Sequence, residues 1–150
     1  MSERHAVECA LFAEALHRSG RQQFVAGGLS MLPAIWPGDR LTIESTEASD
    51  LRAGEIVAWQ RGDAIVVHRV VEVVWAGSGA HVMTRGDAMP ATDDPVPASA
   101  ILGRVIGVRR GALDLPASGS TSRPWRVSAA LLGWWFAARQ LVAIRCPATP

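Results

Sequence analysis

Three kinds of reactive side chain occur in a fixed order along this sequence. A serine hydroxyl stands at Ser30, an imidazole at His68, and carboxylates at Asp87, Asp93 and Asp94. Ser30 lies in Gly27-Gly28-Leu29-Ser30-Met31-Leu32-Pro33. Paired glycines let the backbone turn sharply, and the proline marks a turn or short helix, so the hydroxyl can stand beside free backbone N–H groups. Those are the ingredients of a nucleophile and an oxyanion hole, although a helix N-cap uses the same residue type. His68 sits in the apolar run Val66-Val67-His68-Arg69-Val70. Such a histidine is either hydrogen-bonded to the backbone of its strand or a general base working near neutral pH. Asp87 follows Gly86 in Thr84-Arg85-Gly86-Asp87, and Asp93-Asp94 lie in a proline-rich loop. Carboxylates in such places usually make turn hydrogen bonds, yet together the chain supplies hydroxyl, imidazole and carboxylate in that order.

Composition narrows the chemistry. All 15 basic residues are arginine, so no lysine can act as a base or Schiff-base amine, and acid–base work must fall to His, Asp or Glu. A net charge of +1 excludes the global basic field of a nucleic-acid binder. Cys9 and Cys146 form no CxxC or Cys/His spacing, which leaves a zinc site or disulfide framework unsupported and a reduced compartment as the expectation. No metal or cofactor is expected. His5, His17 and His81 have no partner motif and read as surface or packing residues.

The 150 residues, 49% hydrophobic and 19% charged, suit a single domain. Residues 1–20 read as an amphipathic helix, with the i,i+4 pairs Val7/Leu11 and Phe12/Leu16 and with Gly20 as C-terminal cap. Residues 22–111 read as short β runs separated by turns, including a hairpin across Arg61-Gly62-Asp63. Residues 112–124 form a linker, and 125–145 a Trp-rich C-terminal helix. The fold class is therefore mainly β, bracketed by two helices.

Two segments bear on membranes. Ala6 to Leu16 is interrupted by Glu8 and Glu14, which the apolar stretch of a signal peptide would exclude. Val127 to Ile144 contains Arg139 and Gln140, and its charge-free part is too short to span a hydrocarbon core as a helix. An interfacial or core-docked helix fits it better, with Trp134, Trp135 and Phe136 as the place where peripheral membrane contact would occur. The expected location is cytoplasmic or peripheral to a membrane.

The successive boxes Gly28-Leu29-Ser30-Met31-Leu32-Pro33, Pro37-Gly38-Asp39, Gly54-Glu55-Ile56-Val57, Val67-His68-Arg69-Val70 and Thr84-Arg85-Gly86-Asp87-Ala88 resemble those of the signal peptidase I and LexA-like serine peptidase superfamily. The resemblance covers roughly Phe24 to Val108. His68 stands where most bacterial members have a lysine, as in the Ser-His branch of archaeal and endoplasmic-reticulum signal peptidases. The resemblance implies a signal-peptidase-like β fold and a serine endopeptidase. Ser30 would attack, His68 would be the base, and a carboxylate about six residues after Asp87 would orient the imidazole. That position is Asp93, with Asp94 one residue away. Asp87 would be a supporting carboxylate paired with Arg69 or Arg85. The backbone around Gly28, Ser30 and Met31 would bind the oxyanion and substrate. The substrate would be an extended precursor segment, added as a β-strand and cut after small residues.

The sequence departs from the family pattern in three places. Gly28 replaces a small hydroxyl residue of some relatives, Met89 replaces the usual asparagine, and no transmembrane helix precedes the serine box. The last departure leans toward soluble or peripheral maturation proteases. A rival reading is a non-catalytic peptide-binding or scaffold protein, which expects Ser30 and His68 to be too far apart to exchange a proton. An autocleaving repressor would need a helix-turn-helix ahead of the core, for which the residues before Phe24 leave no room.

Overall fold

The computed structural model describes residues 2–77 and 79–117. It opens with helix α1 (Ser2–Ser19), followed by β1 (Arg21–Val25), β2 (Arg40–Ser45), β3 (Ile56–Arg61), β4 (Ala64–Ala76), β5 (Gly79–Arg85), β6 (Val96–Pro97), β7 (Ile101–Arg110) and β8 (Leu113–Leu115). The mainly-β expectation holds: one N-terminal helix precedes an eight-stranded antiparallel sheet. The expected helix over 125–145, with Trp134, Trp135 and Phe136, lies outside the described residues.

The helix stops where the sequence indicates. Gly20 takes φ 73°, and its N–H donates to the Leu16 carbonyl at 2.8 Å, closing the last turn. Of the two expected pairs, Phe12/Leu16 lies on the buried stripe and Val7/Leu11 does not. Cys9, Phe12 and Leu16 face the sheet, whereas Val7 and Leu11 are 56% and 60% exposed. At 100° per residue Val7 and Leu11 lie nearly opposite Cys9, so one helix cannot bury both sets against a single sheet.

In the sheet, β1 pairs β2, β2 pairs β7, β7 pairs β3, and β3, β4, β5 and β6 follow in order, while β8 pairs β7. Strands β3 and β4 carry near-continuous apolar runs because both of their faces are covered. Ile56, Ala58, Ile65 and Val67 point into the core under α1. Val57, Trp59, Val66 and Val70 point into a second core shared with Val82 and Val96. A two-residue side-chain period therefore puts His68, between Val66 and Val70, on the face of the second core. On β5, Ala80, Val82 and Thr84 share that face, since Val70 pairs with Thr84.

Candidate active site

Ser30 sits in the long connection between β1 and β2. The base of that loop is closed by Ala26 N–H donating to the Asp39 carbonyl at 2.9 Å and Gly38 N–H donating to the Ala26 carbonyl at 2.7 Å. Inside it, Ile35 N–H donates to the Met31 carbonyl at 2.9 Å, making one helical turn rather than a helix. Ser30 is therefore not an N-cap. Met31 and Ile35 drive their side chains into the main core, at 3% and 2% exposure, and so anchor the turn. The Leu32–Pro33 peptide is cis.

The far side of this loop is held by a buried carboxylate. Asp39, 2% exposed, accepts from Trp36 N–H at 2.8 Å and takes a two-pronged contact from Arg110 at 2.9 and 2.7 Å. Burial pushes the Asp39 carboxyl upward, but the bonds from Arg110 and Trp36 and the arginine's charge outweigh it and hold the group below its ordinary range. Arg110 also stacks over the Trp36 ring, 5.3 Å from its centre.

The hydroxyl and the imidazole meet. Ser30 Oγ lies 3.0 Å from His68 Nε2, and His68 Nδ1 lies 2.5 Å from Asp93 Oδ2. An ionised carboxylate only accepts, so Nδ1 is the donor to Asp93, and in the neutral form of the imidazole that leaves Nε2 to accept from the Ser30 hydroxyl. His68 is 6% exposed. Asp93 also accepts from Thr84 Oγ1 at 2.7 Å, and its own N–H donates to the Thr84 carbonyl at 2.8 Å. Burial acts to raise the Asp93 carboxyl, but the bonds from His68 and Thr84, with the charges of His68 and Arg61, hold it below its ordinary range.

The other expected carboxylates do different work. Asp94 is exposed. Asp87 is 7% exposed and receives both prongs of Arg69, at 2.8 and 2.7 Å, so its partner is Arg69. The Arg69 guanidinium also donates to the Gly54 carbonyl at 2.7 Å. Next to Asp87, Ala88 N–H donates to the Ser30 carbonyl at 2.8 Å, joining the serine loop to the segment after β5. Gly86 stands between them: a Cβ there would lie 2.6 Å from the Ser30 carbonyl oxygen and 3.1 Å from His68 Nε2. Gly28 is half-buried beside Ser30. Leu29 and Met89, 40% and 44% exposed, flank the serine loop and the Gly86 segment with apolar surface.

Two residues of this arrangement were not anticipated. Thr84 is fully buried, and the available signal was a polar residue in the alternating series Ala80, Val82, Thr84. Arg110 carried no local signal, because its contact with Asp39 spans 71 positions. Among the described residues, no three His, Cys, Asp or Glu side chains converge to hold a metal. Nor is any described helix long and apolar enough to cross a membrane. An open cavity of about 780 Å³ is lined by residues 44–50, Trp75, Ser99 and Arg104 and contains none of the Ser30, His68 and Asp93 side chains. Comparison with models of known protein families gives no match, and comparison with curated proteins gives none either.

Proposed function

We propose that this chain is a serine endopeptidase of the signal peptidase I and LexA-like type, in its Ser-His branch. The observation that carries the reading is the continuous hydrogen-bonded series from Ser30 Oγ through His68 to Asp93, at 3.0 and 2.5 Å. A non-catalytic scaffold has no need of that spacing, which is within direct proton-transfer reach without a bridging water.

In the proposed reaction Ser30 Oγ attacks the scissile carbonyl carbon as its proton passes to His68 Nε2. Asp93, facing Nδ1, stabilises the imidazolium that forms. Collapse of the tetrahedral intermediate breaks the C–N bond, and His68 returns the proton to the departing amine. Water then attacks the acyl-enzyme by the same route in reverse order, freeing the acid and restoring Ser30. The oxyanion would be held by backbone N–H groups around Gly28, Ser30 and Met31. The substrate would be an extended precursor segment lying as an added strand, with Leu29 and Met89 beside its small side chains.

The test is cleavage of a proteome-derived peptide library, read by mass spectrometry of new termini. Wild type should cut after small residues, while Ser30→Ala and His68→Ala should lose nearly all activity. Cleavage fully retained in both variants, or no cleavage by wild type, would overturn the reading.

A further inference from the structure

We infer that Thr84 is the positioning residue of this site: its hydroxyl fixes the Asp93 carboxylate so that the oxygen it bonds is the oxygen that receives His68 Nδ1–H. The inference rests on the peptidase reading for its kinetic meaning, but its geometric content stands apart from it.

Asp93 belongs to a turn-rich segment whose neighbours Thr92, Asp94 and Pro95 are exposed. A carboxylate on such a segment can rotate about its side-chain bonds, and each rotation would carry the accepting oxygen away from the imidazole. Thr84 removes that freedom at two points. Its carbonyl accepts Asp93 N–H at 2.8 Å, tying the loop backbone to β5, and its hydroxyl donates to Oδ2 at 2.7 Å. The tether is stiff at its own end as well. Thr84 lies in the paired part of β5 opposite Val70, is 0% exposed, and has a β-branched side chain with restricted χ1. His68 stands two residues before Val70 on β4, on the same sheet face. One rigid strand pair therefore carries both the imidazole and the hydroxyl that holds its carboxylate.

Thr84 and His68 donate to the same oxygen. Two donors at one carboxylate oxygen fix its direction in a way that one cannot, because rotation must break both bonds together. Asp93 so held selects the Nδ1–H tautomer, leaving Nε2 free to accept from Ser30. Thr84 touches none of the reacting atoms and acts through Asp93.

The experiment uses Thr84→Val, which keeps the shape and removes the hydroxyl, and Thr84→Ser, which restores it. Proton NMR of the His68 Nδ1–H, assigned by its loss in His68→Ala, is the first readout. The downfield resonance should be present in wild type and Thr84→Ser and be lost or move upfield in Thr84→Val. The second readout is the cleavage rate. Thr84→Val should lower kcat roughly tenfold to hundredfold, the range for losing one hydrogen bond to a charged group, with KM little changed. Thr84→Ser should recover most of it. In an Asp93→Asn background Thr84→Val should cost no further activity, because the residue it acts through is already altered. An unmoved Nδ1–H resonance in Thr84→Val overturns the inference, and so do additive losses in the double variant. A wild type that cuts nothing while the resonance behaves as stated refutes the peptidase reading and leaves the positioning role supported.

Discussion

Replacing Gly86 by alanine should disable the site without unfolding the protein. The added Cβ would lie 2.6 Å from the Ser30 carbonyl oxygen, 2.8 Å from Met89 Cγ and 3.1 Å from His68 Nε2. Met89 is exposed and its flexible side chain can swing away. The Ser30 carbonyl cannot, because it is the acceptor of Ala88 N–H, two residues along from Gly86 itself. A carbon–oxygen contact relaxes to about 3.3 Å, so the serine loop and the Gly86 segment must part by about 0.7 Å. That displacement opens a 3.0 Å Ser30–His68 bond toward the limit of hydrogen bonding. Because a misplacement of about 1 Å costs on the order of a hundredfold, the cleavage rate should fall by about 30- to 100-fold. Overpacking of this kind costs about 1–3 kcal/mol in stability, too little to unfold a domain of ordinary stability. The assay is the initial rate on a peptide that wild type cuts, with circular dichroism confirming the fold at the assay temperature. Gly20→Ala is the matched control: its positive φ makes alanine unfavourable, but a Cβ there meets nothing and lies at the end of α1. A folded Gly86→Ala protein that cuts within threefold of wild type would refute the steric argument.

Two further outcomes follow from the same contacts. Asp39 has a folded-state pKa below its unfolded value, so its ion pair with Arg110 contributes fully above the ordinary carboxylate range and is lost as pH falls through the depressed value. Asp39→Asn should therefore lower the thermal midpoint at neutral pH and flatten its decline on the acid side; an acid slope as steep as wild type's counts against the pair. On α1, Leu16→Ala should cost about 2–5 kcal/mol in denaturant unfolding, while Leu11→Ala should stay within about 0.5 kcal/mol. A larger loss in Leu11→Ala than in Leu16→Ala would mean that the helix packs by its other face.

The sequence makes the long elements readable and hides the short ones. Strands β3 and β4 are visible as apolar runs either side of Arg61-Gly62-Asp63, and α1 is visible by its period. The face that α1 buries is not legible, because Val7/Leu11 and Phe12/Leu16 are equally good i,i+4 pairs and only the sheet's position chooses between them. Strand β6 contains two residues, one of them proline, and β8 three, so neither carries enough pattern to be seen. The site divides in the same way. Ser30 and His68 stand out by residue type and order, but their 3.0 Å separation depends on how β1–β2 and β4–β5 are brought together. The choice between Asp93 and Asp94 turns on one residue of register in a loop, which the Thr84 clasp decides in favour of Asp93.

The absence of lysine gives that clasp its meaning. A lysine base presents one nitrogen, and nothing needs to select which atom carries the proton. An imidazole presents two, and it accepts from a hydroxyl only if the other nitrogen holds its proton against an acceptor. In a chain whose basic residues are all arginine, a base at position 68 brings with it the need for a carboxylate on its far side, held still. The fold holds the three groups by attachments other than the hydrogen bonds among them. Ala88 N–H holds the Ser30 carbonyl, Arg69 bridges Asp87 and Gly54 beside His68, and Thr84 holds the Asp93 backbone. Each of the three groups is thus held by the main chain or a buried ion pair as well as by the hydrogen bonds among them, and on the proposed peptidase reading such a series would need little rearrangement at the moment of reaction.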